Sequence, residues 1–140
     1  MLPQPRFHLW LAPPLQVHSC TRVPFAVVWK ADGRVAGSTR LMDIRPRHRG
    51  LEIGWTWYRR DLWGGPVNPE CKYLLLRHAF EQWGAIRVCL KTDVLNTHSQ
   101  NAIRKVGAKY EGRSAITTSA VTGAIATACT SRSSRASGRP

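Results

Sequence analysis

The sequence predicts an α/β layer fold, a mixed sheet with helices packed on it. Three observations predict it. Residues 51–57 alternate apolar and polar side chains at strand period. Two later segments set apolar residues at helical spacing between a start signal and a stop signal. Extended segments recur around them, in the order ββ, β, α, β, α, β up to residue 112, and such alternation favours helices layered on a sheet.

Residues 1–24 are proline-rich and show no sustained period, which predicts an irregular arm. In "PFAVVWKADGRVAGSTRLMDI" the apolar run Phe25–Trp29, the turn signal Asp32-Gly33 and the run Val35–Ile44 predict a hairpin. "RPRHRG" is a basic loop. In "LEIGWTWY", Leu51, Ile53, Trp55 and Trp57 alternate with Glu52, Gly54 and Thr56 as in a strand. A helix follows with Asn68 as N-cap, Pro69 at its first position and Glu70 near its positive end. Leu75, Ala79 and Trp83 line one face of it, and Gly84 stops it. "IRVCLKT" is a strand again, and a second capped helix spans about Thr97–Val106, ended by Gly107. "AKYEG" begins another strand.

Composition narrows the function only loosely. One domain fits 140 residues. The net charge is +13, yet the basic residues are scattered and no long Lys/Arg run appears. A nucleic-acid partner is therefore disfavoured, although Lys/Arg clusters on phosphate would be its usual mark. Cys20, Cys71, Cys89 and Cys129 lie far apart and the five histidines form no ligand set, so neither a zinc site nor a disulfide framework is expected. Prolines interrupt the apolar start, so no signal peptide and no membrane span are read, and a cytoplasmic setting is the default.

Three features occur in order: the strand Glu52-Ile53-Gly54-Trp55, the turn Trp63-Gly64-Gly65 entering a helix, and Asn96-x-x-Ser99 ahead of Gly107-Ala108. Over roughly Pro24–Gly112 the chain resembles the GNAT acetyltransferases, most of all the RimJ/RimL-like branch that includes N-terminal acetyltransferases of ribosomal proteins. The resemblance implies a GNAT-like mixed central sheet flanked by helices. It also implies acetyl-CoA as co-substrate, no metal, and a primary amine as acceptor, on a protein N-terminus or a small molecule.

In that family acetyl-CoA lies between two splayed central strands, with its pyrophosphate on a loop at a helix N-terminus. By resemblance that loop is Trp63, Gly64, Gly65, Pro66, Val67 and Asn68, where free amides and the helix dipole together hold an anion. The competing reading is a plain glycine turn. The family signature Q/R-x-x-G-x-G/A is not met: Trp63, Pro66 and Asn68 occupy its fixed positions, and Pro66 has no N–H. The G-G-x-V-N-x-E pattern found here is similar to loops of the RimJ/RimL-like branch, which suggests a variant cradle.

The resemblance further implies that Trp57 and Tyr58 end the strand that pairs with pantetheine. Asn96 would bond the pantetheine arm, and Ser99 would lie near the thioester. Helix capping alone also explains Asn96. Glu52 is the candidate base for the attacking amine, directly or through water, against the alternative of a structural carboxylate paired with an arginine. Many relatives carry a tyrosine acid on the last helix; Ile103 stands there, so Ser99 or solvent would protonate the thiolate.

The fold is expected to be incomplete at both ends, with an arm over 1–24, an acetyl-CoA-binding core over 25–112, and a disordered tail over 113–140. All eight acidic residues precede residue 113, and Ser, Thr, Ala, Gly and Arg dominate after it. Codons shifted by one frame from Ala124 onward admit D-R-D-S-V-Y-F-S-I-L-E-G-E-W-P, similar to the ending of the family. An out-of-frame tail is therefore expected, with weak or absent activity because the last strands are lost and a sheet edge is left open. A natural Ser/Thr/Ala tail is the alternative. Two other function classes stay open: a non-catalytic CoA-binding remnant and a basic nucleic-acid-binding module.

Overall fold

The computed structural model describes residues 4–11, 22–118 and 121–131, with side chains for those before 113. Seven described strands form one sheet: β1 (Phe7–Leu11), β2 (Arg22–Trp29), β3 (Val35–Arg45), β4 (Gly50–Tyr58), β5 (Arg87–Asp93), β6 (Lys109–Thr118) and β7 (Val121–Ser131). Their spatial order is β1-β2-β3-β4-β5-β7-β6. Helix α1 (Val67–Arg77) connects β4 to β5, and α2 (Thr97–Lys105) connects β5 to β6. Among the described strands only β4 and β5 pair in parallel, as a helical crossover requires.

The β2–β3 hairpin turns at Asp32-Gly33, as its sequence predicts. Gly33 has φ +70, and Asp32 accepts from the Arg34 amide at 2.9 Å. The arm expected before residue 24 is partly a strand. Phe7 and Leu9 alternate with His8 and Trp10, and β1 pairs along β2 from Phe7↔Trp29 to Leu11↔Phe25. Five residues flanked by prolines give too short a period to stand out, but burial of Phe7 against Trp29 fixes the register.

The first helix deviates from expectation in phase, while α2 falls where it is expected. Pro66 already has helical angles (φ −78, ψ −8), so α1 starts at Val67 and the Asn68 side chain caps nothing. Pro69 still falls in the first turn, where its missing N–H costs no helix bond. Beyond Arg77 the helix widens into a π-turn over His78–Gln82. That inserted residue rotates the end of the segment, so Leu75 and Ala79 are buried while Trp83 is 42 % exposed. Gly84, at φ +64, ends the segment as predicted.

Leu75 and Ala79 from the first helical segment and Ile103 from α2 share one buried cluster with Leu41, Leu51, Ile53, Val88 and Leu90 of the sheet. A second cluster joins Phe7, Val27 and Ala36 to Val67 and Cys71 at the start of α1. Together they seat α1 firmly across β3 and β4, and that seating places the site.

Two expectations about the C-terminal half are corrected. Residues 113–118 and 121–131 are strands, not a disordered tail. β7 pairs with β5 from Arg87↔Ser131 to Asp93↔Ile125, so the edge of β5 expected to be open is covered. Thr, Val and Ile recur through these segments, and the β5 backbone supplies a partner that composition alone does not reveal. Residues 119–120 and 132–140 of the expected tail lie outside the described residues. The spacing of the cysteines predicts no bridge, yet Cys89 is disulfide-bonded. Chain spacing carries no information on the β5–β7 register, which sets Cys129 opposite Cys89.

Candidate functional site

The parallel ladder between β4 and β5 runs from Gly50↔Arg87 to Ile53↔Leu90 and stops. Both strands continue, β4 to Tyr58 and β5 to Asp93, so they part at Gly54 and Lys91. A bulge on β4 sets the divergence. Ser38 faces Trp57 and Arg40 faces Gly54, leaving Trp55 and Thr56 of β4 against Thr39 alone of β3. Trp55 takes the strain, with φ 48, a left-handed value that a bulky residue adopts only when its surroundings hold it. The Arg40 guanidinium sits 4.9 Å from the centre of its ring.

The space between the parted strands is a cleft of about 660 Å³. Its walls are β4 from Ile53 to Tyr58, the end of β5, the first turns of α1 and one side of α2. Trp57, Tyr58, Trp63, Gly64, Gly65, Val67, Asn68, Asn96 and Ser99, the residues singled out in the sequence, all line this one cleft. Glu52 does not. It lies on β4 before the divergence, and its carboxylate is 2.7 Å from Lys91 Nζ, a residue that does line the cleft. The paired-carboxylate alternative thus describes the resting geometry, with a lysine in place of the arginine.

At the far end of the cleft the chain enters α1 through Trp63-Gly64-Gly65-Pro66. Gly64 has φ +75, and Gly65 N–H donates to Leu62 O at 3.3 Å, so Gly65 is committed to the turn. Glu70 N–H closes the first helical turn on Pro66 O at 3.0 Å. Among the described residues the amides of Gly64, Val67 and Asn68 have no protein acceptor. Helix dipole and free N–H groups thereby meet at one point, which suits an anion. The Trp63 indole is fixed by donating to Tyr58 O at 2.9 Å, and its ring lies 6.2 Å from that of His98 at the start of α2. His98 carries no sequence signal; only the approach of the two helix starts reveals it.

Asn96 caps α2, its Oδ1 accepting from the Ser99 amide at 3.0 Å. Its amide nitrogen is left for the cleft, so capping and ligand contact are compatible. Ile103, at the position of the expected acid, is 8 % exposed and belongs to the core as well as the cleft wall.

One further residue was not visible in the sequence. Lys72, on the same face of α1 as Asn68, is 6 % exposed and lines the cleft. Its ammonium donates to Thr56 Oγ1 at 2.7 Å, and Thr56 is 2.9 Å from the Thr39 hydroxyl. Burial lowers its pKa to about 8, with the neighbouring Cys71 opposing the shift. Beside it, burial pushes the free Cys71 thiol up to about 12 and raises the Tyr58 phenol above its ordinary range. The Tyr58 hydroxyl is buried near Cys71 without a hydrogen bond of normal geometry. Among the described residues no group of three or more His, Cys, Asp or Glu is placed to hold a metal ion. No described helix is long and apolar enough to cross a membrane.

Known proteins share this fold. The family model described as "Acetyltransferase (GNAT) domain" matches residues 6–109. A protein of T. thermophilus assigned as an acetyltransferase is 34 % identical, with a TM-score of 0.71 over 81 % of this chain and 60 % of its own. A GCN5-related N-acetyltransferase from Brucella melitensis is 26 % identical, with a TM-score of 0.75 over 81 % of this chain and 52 % of its own. A spermidine N-acetyltransferase from Vibrio cholerae, 17 % identical with a TM-score of 0.70 over 81 % and 68 %, is alike in fold alone. No curated protein matches in sequence. The chain spans about three fifths of the length of the first two structural relatives, at 59 % and 60 %. A family match over residues 6–109, on a sheet whose two central parallel strands part around a helix-capped cleft, makes this chain a member of the GNAT acetyltransferase family.

Proposed function

We propose that the chain binds acetyl-CoA between β4 and β5 and transfers the acetyl group to a primary amine. The observation that carries this reading is the end of β4–β5 pairing at Ile53↔Leu90, in a cleft that the unpaired amides of Gly64, Val67 and Asn68 also line. A linear ligand with amides along its length and phosphates at one end suits such a cleft. The free edge of β4 at Trp57 and Tyr58 pairs with the pantetheine amides, Asn96 Nδ2 holds the arm, and the phosphates rest on the helix start. Trp63 and His98 flank the phosphate end. Residues 25–112 form the cofactor-binding core.

Glu52 acts as base through a water or after release of Lys91, and Ser99, which lines the same cleft, returns a proton to the thiolate. Much of the rate then comes from holding amine and thioester in register. The acceptor is a protein N-terminus, as in the RimJ/RimL-like branch, or a small amine. Cytoplasmic acetyl-CoA is the donor pool.

The covered edge of β5 removes one ground for impaired activity. Reduced turnover now rests on the Ala-, Ser- and Thr-rich composition of the chain from about residue 113 and on the out-of-frame origin proposed for it. Sequencing the gene tests the latter: a coding frame without the hidden family ending refutes it. Thiol release from acetyl-CoA, measured with peptides bearing free N-termini and with small polyamines, tests the transferase reading. Protection by acetyl-CoA without thiol release for any amine would favour a non-catalytic CoA-binding remnant.

A further inference from the structure

Lys72 is a buried cation in the cleft, and no described carboxylate neutralises it. Six ion pairs join described residues, and none includes Lys72. Its hydrogen-bond partner is the uncharged Thr56 hydroxyl. A buried ammonium with a neutral partner is costly, and such a lysine is relieved by losing its charge. The arrangement is poor as an anchor for structure, yet it suits a nucleophile: a desolvated amine, fixed in position, opening on a cavity. Geometry adds a second argument. Thr56 lies on the stretch of β4 past Ile53, the last residue paired with β5, and lines the cleft beside Lys72. Asn68, one helical turn earlier on the same face of α1, belongs to the anion-binding end of that same cleft.

We infer that Lys72 is a self-acylation site, its ε-amine taking the acyl group from a thioester donor bound in the same cleft. The inference rests on the acetyl-CoA reading above. The nitrogen lone pair attacks the thioester carbonyl, the N–C bond forms as the C–S bond breaks, and the thiolate leaves with the proton shed by the nitrogen. No further reactant is needed. The product amide keeps one N–H to donate to Thr56, carries no charge, and narrows the cleft against a second donor. Its lowered pKa, near 8, leaves roughly a tenth of the amine neutral at pH 7.

The test uses the whole, unaltered chain. It is incubated with acetyl-CoA, and acetylation is mapped by peptide mass spectrometry at successive times, beside a parallel sample treated with acetic anhydride. Thermal unfolding with unreactive CoA is followed on the same preparation. Acetyl-CoA is expected to label Lys72 roughly tenfold or more faster than the exposed Lys30, Lys105 and Lys109, because Lys72 shares the donor's cavity and they do not. Acetic anhydride is expected to show the reverse order, and excess CoA to suppress labelling at Lys72. If CoA protects the fold but Lys72 is labelled no faster than the exposed lysines, self-acylation is overturned while the cofactor site stands. If CoA gives no protection and Lys72 stays unlabelled, both the cofactor site and this inference fall.

Discussion

Lys72 Nζ on α1 donates to Thr56 Oγ1 on β4 at 2.7 Å, and both residues line the cleft. The contact ties the helix that carries the anion-binding turn to the strand that borders the ligand. Burial of the ammonium also lowers its pKa, which has a consequence for stability.

In the unfolded chain Lys72 titrates near 10.5, and in the folded protein near 8. Between those values the unfolded state binds more protons, so stability rises with pH across that window, by roughly 3 kcal/mol at most. Cys71 opposes this from pH 9 upward, because its folded thiol holds its proton to about 12. Tyr58 opposes it again above pH 10, its ordinary value. Wild-type stability should therefore climb from pH 8 to 9, level off to about 10 and then fall. Urea unfolding of Lys72→Met should show no climb between pH 8 and 9. A variant with the same climb as wild type would dissociate it from Lys72.

Gly37 packs where no side chain fits. A Cβ there would lie 2.2 Å from Trp57 O and 2.7 Å from the Tyr58 ring, and a backbone oxygen cannot swing aside. Gly37→Ala should cost about 1–3 kcal/mol of stability and displace the end of β4, weakening CoA binding as well. Denaturation midpoints together with CoA titration check both parts; an unchanged midpoint would mean that β3 and β4 are not so closely set.

At Gly64 the demand is conformational. A Cβ at this position would meet nothing within 4 Å, but φ is +75. Gly64→Ala should therefore cost about 1 kcal/mol through backbone strain alone. By tilting the free amide it should also weaken binding of CoA more than of a pantetheine fragment lacking the phosphates. Equal losses for both ligands would argue against phosphate at the helix start.

Glu52→Gln separates the two readings of that carboxylate. As a base it should lower kcat by about 10²–10⁴ while CoA affinity holds. Lys91→Met removes the ion-pair partner, which is 42 % exposed, and should change stability by less than about 1 kcal/mol. Stopped-flow and steady-state thiol release report the difference. Should Glu52→Gln retain full kcat, the carboxylate is structural.

Local signals in the sequence located most of the frame. Asp32-Gly33 marks a hairpin, the alternation around Ile53 marks β4, Asn96 marks a cap, and each is a short-range property of the chain. The contents of the cleft were legible through motif resemblance, which brought Gly64, Asn68, Asn96 and Ser99 to one place. The features that stayed hidden depend on relations between distant segments. Trp55 is strained because β4 bulges against β3, and neither strand announces a bulge. Lys72 looks like an ordinary exposed helix lysine until α1 is seated on Thr56. Trp83 leaves its predicted face because of one extra residue in a π-turn. β6 and β7 have a weak sequence pattern, and the backbone of β5 provides what the pattern lacks.

The central claim is that the β4–β5 cleft holds acetyl-CoA. Thermal unfolding of the intact chain with and without acetyl-CoA tests it most directly. Ligand at a hundredfold excess over Kd should stabilise the fold by about 2.7 kcal/mol, and Gly64→Ala should reduce the gain. A melting curve unmoved by saturating acetyl-CoA would contradict the account.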